Sequence, residues 1–333
     1  MKLATIIRDG RTCPAIVNDG RVHAFPDRPD APGTLEAIVA DPDAPMAELG
    51  LLSAAGQQQI LHDWNDTAAP YPDGADLPDA FLDQARRNPD APALQADAGS
   101  LSYGQLDTRS AQLAAELRAC GLQAGMPVGL CMPRSAEAVV AMLGILRAGG
   151  VIVPIDPAWP PARRQFVTSD AGAQTVLTDL CPQLPDGGLK AAGLLPAGAA
   201  VLLYTSGSTG GPKGAVTTHA SAVNRCHWMW QDYAFGAQDL FVLRTSFGFI
   251  DSLWEIFGAL SHGIPLVIAP DDIATDALRL PEFLRERSVT HLVLVPSLLR
   301  ALLDARSEGG APEGGLPALR RCISSGEPLD PEL

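Results

Sequence analysis

The sequence has little positive charge and no long apolar run. It carries 24 lysines and arginines against 38 aspartates and glutamates, which gives a net charge of -14 at pH 7. Because nucleic-acid binding depends on lysine and arginine at the phosphates, this balance excludes a broad nucleic-acid surface. No segment approaches the roughly 18 apolar residues of a membrane helix, and the N-terminus does not read as a signal peptide. We therefore predict a cytoplasmic protein with no nucleic-acid and no membrane partner.

The sequence also lacks paired cysteines. Its six cysteines are scattered and form no CxxC pair: Cys13, Cys120, Cys131, Cys181, Cys226 and Cys322. In a chain of 333 residues this distribution predicts reduced thiols, and neither a disulfide framework nor a cysteine metal site.

The chain divides into three predicted parts. Residues 1–46 contain strand-like runs around two Asp-Gly pairs, Asp9-Gly10 and Asp19-Gly20, which predict a small antiparallel meander. We assign no function to this part. Residues 47–75 are predicted to form a lead-in linker, and residues 76–333 the main domain.

The main domain alternates apolar strands and helices. A strand at 128–132 is followed by a helix with Ser135 at its N-cap and Gly149-Gly150 at its end, and then by a strand at 151–156. Further strands are predicted in "AQTVLTD", "AVLLYT", "LFVLRT", "PLVIAP", "HLVLVP" and "RCISS". Runs that are apolar on both faces predict an α/β fold with parallel sheets covered by helices. The glycine- and proline-rich segment 182–198 predicts the boundary between two such sheets.

One segment has neither a helical nor a strand period: "YTSGSTGGPKG", residues 204–214. It follows an apolar strand and precedes a helix predicted to start near Thr218. Glycines expose backbone N–H groups, hydroxyls add donors and Lys213 adds a positive charge, a combination suited to polyphosphate. The alternative is a mobile surface loop with a solvated lysine, against which Pro212 and the preceding buried strand both argue. The segment fits neither the GxxxxGK[ST] nor the GxGxxG pattern.

"LLYTSGSTGGPKG" resembles the phosphate-binding signature of adenylate-forming enzymes. "LSYGQL" (101–106) and "LRAGGVIVPIDPAWPPAR" (146–163) resemble the first two core motifs of nonribosomal peptide synthetase adenylation domains. Residues 51–72 resemble the segment that precedes such domains. The resemblance covers about residues 50–333, and it implies the large N-terminal domain of that family, with two helix-covered, mainly parallel sheets.

The resemblance implies a reaction and a set of phosphate-binding residues. The reaction joins a carboxylate to ATP with Mg²⁺, giving an acyl-adenylate that is passed to the phosphopantetheine thiol of a peptidyl or acyl carrier protein. Lys213 and Thr209 are the implied catalytic residues. The implied ATP-binding residues are Thr205, Ser206, Gly207, Ser208, Thr209, Gly210, Gly211 and Lys213.

The implied substrate pocket departs from the family pattern. Where the family has Phe-Asp-x-Ser, with the aspartate holding the substrate's α-amino group, this chain has "FIDS": Ile250 takes the aspartate's place and Asp251 follows it. Ser252 and Glu255 predict a capping box, which leaves Asp251 either to pair with a substrate amine or to lie at the surface as a cap. A shifted carboxylate favours a β-amino acid, or an acid without an α-amine, over an α-amino acid. The other implied pocket residues are Trp254, Val293, Ile323 and Ser325.

The family motifs for adenine, magnesium and ribose, and the catalytic lysine of the C-terminal subdomain, do not occur in these residues. We therefore expect the N-terminal part of a longer enzyme, inactive by itself, with the magnesium ligand outside this chain. Two alternatives remain: a non-catalytic ATP-binding or interaction module, and a free acyl-CoA ligase. The lead-in at 51–72 argues against the ligase.

Overall fold

The structure is a computed structural model that describes residues 2–8, 11–18, 21–24, 54–72, 74–182, 187–191, 193–206, 211–233, 235–307 and 315–330. The chain divides into two compact units, Met1–Pro70 and Tyr71–Leu333. In the ranges described, no helix is both long enough and apolar enough to cross a membrane.

The first unit contains a three-stranded antiparallel sheet in the order β1-β2-β3. Its strands are β1 (Lys2–Arg8), β2 (Arg11–Asn18) and β3 (Arg21–Ala24). Arg8 pairs with Arg11 and Asn18 with Arg21, so two residues of sequence separate the strands each time. The strands are those expected around the two Asp-Gly pairs. Helix α1 (Ala54–Leu61) and a 3-10 turn (Asp63–Asn65) follow. The boundary at residue 46 lies outside the described residues and remains a prediction.

The second unit alternates strands and helices. Its strands are β4 (Pro92–Ala96), β5 (Gly99–Ser102), β6 (Pro127–Leu130), β7 (Val151–Pro154), β8 (Val176–Leu177), β9 (Ala199–Ser206), β10 (Pro212–Thr218), β11 (Phe241–Leu243), β12 (Leu266–Ile268), β13 (His291–Leu294) and β14 (Arg321–Ser324). Its helices are α2 (Leu77–Arg87), α3 (Tyr103–Ala119), α4 (Ala136–Arg147), α5 (Pro161–Asp170), α6 (His219–Asp232), α7 (Asp251–Leu253), α8 (Arg279–Glu286) and α9 (Pro296–Ser307). Helix α7 continues directly into a π-helical turn, Trp254–Gly258.

These strands form two sheets. The five-stranded sheet has the order β10-β9-β7-β6-β8, and the six-stranded sheet has the order β14-β13-β11-β12-β4-β5. Their pairings are parallel except β9–β10 and β4–β5, which are antiparallel and lie at one edge of each sheet. The predicted α/β fold with two mainly parallel sheets is confirmed.

The predicted boundary between the sheets is wrong. Strand β8 precedes segment 182–198 and β9 follows it, yet both belong to the five-stranded sheet. The hairpin β4–β5, which no sequence signal predicted, instead joins the other sheet through β12. Glycine and proline mark the end of a strand but carry no information about which strands pair across the fold.

Helix α4 lies in the core that the two sheets share. Ser135 caps it as predicted, with Oγ accepting a hydrogen bond from the N–H of Ala138 at 3.1 Å. Every residue of the helix except Glu137 and Arg147 is buried, as expected of a helix that faces little water. The helix packs against β6 and β7 of one sheet and β4 of the other, and one hydrophobic cluster includes strands of both sheets.

Candidate active site

The segment predicted to bind phosphate joins β9 to β10. Strand β9 runs parallel to β7 through Ile152↔Val201, so its carboxyl end lies where α/β sheets place ligands. The chain then returns as the antiparallel edge strand β10 and does not pass directly into a helix. The predicted helix, α6, begins after β10, with Thr218 as N-cap accepting from the N–H of Ser221 at 3.1 Å.

Lys213 lies directly opposite Thr205 in this hairpin. Directly paired residues of antiparallel strands point to the same face, so the side chains of Lys213 and Thr205 project from the same face of the hairpin, and both are exposed. Gly211 is exposed as well, and Ser206 ends β9 opposite Pro212. The remaining predicted phosphate ligands, Gly207, Ser208, Thr209 and Gly210, lie outside the described residues.

The base of the hairpin is attached to helix α5. Tyr204 is buried, and its hydroxyl donates a 2.7 Å hydrogen bond to Oδ2 of Asp170. Burial raises the pKa of Tyr204, and the carboxylate of Asp170 raises it further, so the phenol keeps the proton that it donates. Gly214 faces Tyr204 in β10, where an added Cβ would come within 3.0 Å of Leu202 Cδ1. Because Gly214 has no side chain, Leu202 and Tyr204 have room to pack against it.

The predicted capping box at the start of α7 is wrong. The helix has Ile250 at its N-cap position and no side-chain cap. Ser252 donates from Oγ to the carbonyl of Phe249 at 2.7 Å. The carboxylate of Glu255 is only 1% exposed, and it accepts hydrogen bonds from residues at the end of β11. Glu255 stays in the interior because donors are available there, so it does not reach back to the helix start.

Asp251 is the first residue of α7, and its side chain is only 19% exposed. The hydroxyl of Ser325 donates to its Oδ2 at 2.8 Å, and Nη2 of Arg225 on α6 lies 4.0 Å from its Oδ1. Ile250 beside it is 47% exposed. The carboxylate is therefore directed toward residues outside its own helix, and no side chain caps the start of α7. Contact of Asp251 with a substrate remains a prediction.

A protein-family model described as AMP-binding enzyme matches residues 81–195 and 189–333. The chain belongs to this family.

Among individual members, phosphinothricin tripeptide synthetase PhsB of Streptomyces viridochromogenes is 37% identical to the chain over 325 residues. The match covers 90% of this chain and 27% of PhsB, so the chain spans about a quarter of that relative's length. The predicted resemblance to the N-terminal part of a nonribosomal peptide synthetase adenylation domain is confirmed.

Solved structures of AMP-binding enzymes have the same fold. The nonribosomal peptide synthetase FmoA3 in its α-methyl-L-serine-AMP-bound form matches with a TM-score of 0.73 and 28% identity, over 94% of this chain and 39% of FmoA3. The N-terminal subdomain of NpsA from Klebsiella oxytoca, in complex with 3-hydroxybenzoyl-AMSN, matches with a TM-score of 0.65 and 27% identity, over 77% of this chain and 68% of that subdomain.

The other residues predicted to line the pocket are largely buried. Trp254 and Val293 belong to one buried cluster, at 2% and 6% exposure, and Ile323 packs against that cluster half-buried. The indole of Trp254 fills the space that a side chain at Gly258 would need, since a Cβ there would lie 2.4 Å from the ring. Ser325 donates a hydrogen bond to Asp251. Contact of Ser325 and of the other three residues with a substrate remains a prediction.

Three residues near the site had no predicted role or a wrong one: Arg225, Thr245 and Glu255. Arg225 and Thr245 match no motif that we recognised, and Glu255 carried only the capping pattern. His219, the first residue of α6, accepts a hydrogen bond from the N–H of Leu77 at Nδ1, at 3.1 Å. In the part of the chain that the structure describes, no three His, Cys, Asp or Glu residues are close enough to hold a metal ion.

Proposed function

We propose that the protein activates a carboxylic acid with ATP and loads it onto a carrier protein in nonribosomal peptide biosynthesis. A carboxylate oxygen attacks the α-phosphorus, the bond from that phosphorus to the bridging oxygen breaks, and pyrophosphate leaves. The phosphopantetheine sulfur of the carrier then attacks the acyl carbon and AMP leaves. The proposal covers both steps, activation and loading, for the whole protein, and it places the protein in the cytoplasm.

The observation that carries this proposal is the hairpin with Lys213 opposite Thr205 at the carboxyl end of β9. In this proposal the ATP phosphates bind to the ammonium of Lys213 and the hydroxyl of Thr205. The hydrogen bond from Tyr204 to Asp170 fixes these strands to α5. Thr209, Ser206, Ser208 and the glycines 207, 210 and 211 are proposed to complete the cradle with hydroxyls and backbone N–H groups. Transfer of the adenylyl group to a carboxylate depends on positioning and on charge stabilisation at the phosphates.

The pocket residues support an acid that is not an ordinary α-amino acid. Ile250 presents hydrocarbon where the family pattern has its aspartate, and Asp251 offers a carboxylate one residue later. A substrate amine one carbon further from the carboxyl group would reach Asp251, so a β-amino acid is the first candidate.

A second candidate is an acid with no amine. Asp251 already has Ser325 as a donor and Arg225 at 4.0 Å, so its charge is partly satisfied before any substrate enters. The NpsA subdomain has been solved with 3-hydroxybenzoyl-AMSN, whose acyl group carries no amine, and also with anthranilyl-AMSN, whose acyl group carries one.

Pyrophosphate exchange in the full-length protein tests the proposal. The panel contains β-alanine, 3-aminobutyrate, alanine, lactate and 3-hydroxybenzoate. Lys213→Ala is expected to lower exchange by roughly 100-fold, the usual loss when one preorganised charge-stabilising group is removed. Lys190→Ala, at another exposed lysine of the same unit, is the matched control and should leave exchange unchanged.

The outcomes separate the alternatives. Equal exchange in Lys213→Ala and Lys190→Ala would remove the phosphate assignment. ATP binding without exchange for any acid would favour a non-catalytic module, and efficient transfer to free coenzyme A with none to a carrier protein would favour an acyl-CoA ligase.

A further inference from the structure

Glu255 lies on the π-helical turn that continues α7, and its carboxylate is fully enclosed. Oε2 accepts hydrogen bonds from the backbone N–H of Arg244 at 3.1 Å and from that of Thr245 at 2.9 Å. Oε1 accepts a third hydrogen bond, from Oγ1 of Thr245 at 2.8 Å. All three donors belong to the two residues that follow β11, so one side chain connects α7 to the end of that strand.

The charge of Glu255 is balanced locally. Arg244 is 8% exposed. Burial lowers its pKa, the carboxylate of Glu255 raises it, and the positive charge of Arg134 lowers it. Burial raises the pKa of Glu255 to about 7, against which hydrogen bonds from Thr245 and the charge of Arg244 act. Burying a carboxylate costs desolvation free energy. A buried polar group whose hydrogen bonds are all made fixes one arrangement of the residues around it.

The connection extends to other strands of the six-stranded sheet. Arg244 donates from Nη1 to the carbonyl of Val293 on β13 at 2.9 Å, and from Nε to the carbonyl of Ala274 at 3.0 Å. Strand β13 pairs in parallel with β14 through Val293↔Ile323, and Ser325 follows β14. The same network therefore joins α7, which carries Asp251, to the strands that place Ser325 opposite it.

Helix α7 is too short to hold its own position. It consists of three α-helical residues, a five-residue π-helical turn and two further α-helical residues at 259–260, and isolated helical segments of this length are unstable without tertiary contacts. π-Helical turns of this kind frequently occur at functional sites. Glu255 is the polar side chain of this turn that is fixed to the sheet, one residue after Trp254.

We propose that Glu255 is a positioning residue for the acid-binding pocket, fixing α7 against the end of β11 so that Asp251 lies opposite Ser325. The inference rests on the proposed function for its consequence in substrate selection. Its physical content, the placement of α7, can be measured without any substrate.

The test compares Glu255→Ala with Glu255→Gln in the full-length protein. Glutamine keeps an oxygen for the two backbone N–H groups and an amide that Thr245 can meet, whereas alanine removes all three bonds. Asp239→Asn is the control, because Asp239 is also a buried carboxylate bonded to backbone and arginine but lies before β11, at the opposite end of that strand.

In hydrogen exchange, Glu255→Ala is expected to raise exchange at the amides of residues 250–254, while Glu255→Gln and Asp239→Asn leave them protected. In pyrophosphate exchange, Glu255→Ala should raise KM for the best acid of the panel by about tenfold or more. The reason is that a displaced Asp251 would lose its hydrogen bond to the acid, and a hydrogen bond to a charged group has about this effect. KM for ATP should change by less than about twofold, and glutamine should restore the KM for the acid.

Unchanged exchange at 250–254 in Glu255→Ala, or equal rises in KM for acid and ATP, would overturn the inference. If Glu255→Ala does not fold, Thr245→Val is tested instead, because it removes the Oγ1 bond alone. An unchanged KM for the acid in Thr245→Val would also overturn the inference. A response in hydrogen exchange, with no acid activated by the unmodified protein, would instead remove the proposed function and leave the placement of α7 by Glu255 supported.

Discussion

At the scale of single residues, the proposed selection of the acid depends on the position of one carboxylate, that of Asp251. If Ile250 faces the substrate's α-carbon, an α-ammonium would be buried without a partner, at a cost of several kcal/mol. A cost on the order of 4 kcal/mol excludes α-amino acids by roughly a thousandfold. Asp251, held by Ser325 at 2.8 Å, offers the missing charge to an amine placed one carbon further along.

Replacing Asp251 by asparagine tests this distinction. The amide keeps the shape and can still accept from Ser325, but it no longer carries a charge. We expect Asp251→Asn to lower kcat/KM for β-alanine by about tenfold or more relative to lactate, since a hydrogen bond to a charged group is lost. The measurement is pyrophosphate exchange with both acids. Asp232→Asn, at an exposed aspartate that ends α6, is the control. A protein that prefers alanine and does not respond to Asp251→Asn would contradict the pocket assignment.

Local signals were predictable at this scale, and partnerships between distant residues were not. Ser135 and Thr218 cap helices as their neighbours in sequence indicate, because a cap contacts residues only three positions away. Asp251 meets a hydroxyl 74 positions away, and Glu255 meets the end of a strand. The same S-x-x-E letters that predict a capping box are compatible with a buried glutamate, and only the surrounding fold decides between the two.

At the scale of elements, the hairpin β9–β10 joins an exposed strand to a buried one. Strand β10 lies at the edge of its sheet, and most of its residues are exposed. Its partner β9 is buried from Val201 to Tyr204. The hydrogen bond from Tyr204 to Asp170 therefore fixes the hairpin to α5 just before the residues that are proposed to meet phosphate.

Removing that hydroxyl should loosen the hairpin without unfolding the protein. Tyr204→Phe is expected to cost about 1 kcal/mol of stability, the usual net value of one hydrogen bond, and to raise KM for ATP more than KM for the acid. Urea unfolding and the two KM values measure these effects. Tyr233→Phe, at a ring that packs on Trp228 and Phe235, is the comparison. An equal rise in both KM values would mean that Tyr204 acts on the whole fold and not on the hairpin.

The strands themselves could be predicted better than their arrangement. Apolar runs such as "HLVLVP" became strands where expected, because burial on both faces leaves a clear pattern. Sheet membership was predicted wrongly at 182–198 because pairing depends on packing against α4, which touches both sheets. That contact lies between residues far apart in sequence and leaves no local signal.

At the scale of the whole molecule, buried ionisable groups in the second unit oppose one another as pH changes. His291 is 4% exposed, with Nδ1 2.7 Å from Thr290 Oγ1 and Nε2 3.3 Å from Arg321. Burial lowers the pKa of His291 to about 4, with Asp239 acting in the opposite direction and Arg321 and Arg320 in the same direction. Glu255 shifts the other way, since burial raises its pKa to about 7.

The two groups should limit stability from opposite sides. Between pH 6.5 and about 4 the unfolded chain binds a proton at His291 that the folded protein does not, so acidification destabilises the fold. Between pH 4.5 and about 7 the folded protein holds a proton on Glu255 that the unfolded chain has lost, so stability falls as pH rises. Each slope is at most about 1.4 kcal/mol per pH unit.

In urea unfolding from pH 4 to 8, the stability advantage of wild type over His291→Gln should therefore shrink as pH falls below 6.5. Its advantage over Glu255→Gln should shrink as pH rises from 4.5 to about 7. Parallel curves for wild type and either variant would show that the corresponding group has the same pKa in the folded and unfolded protein.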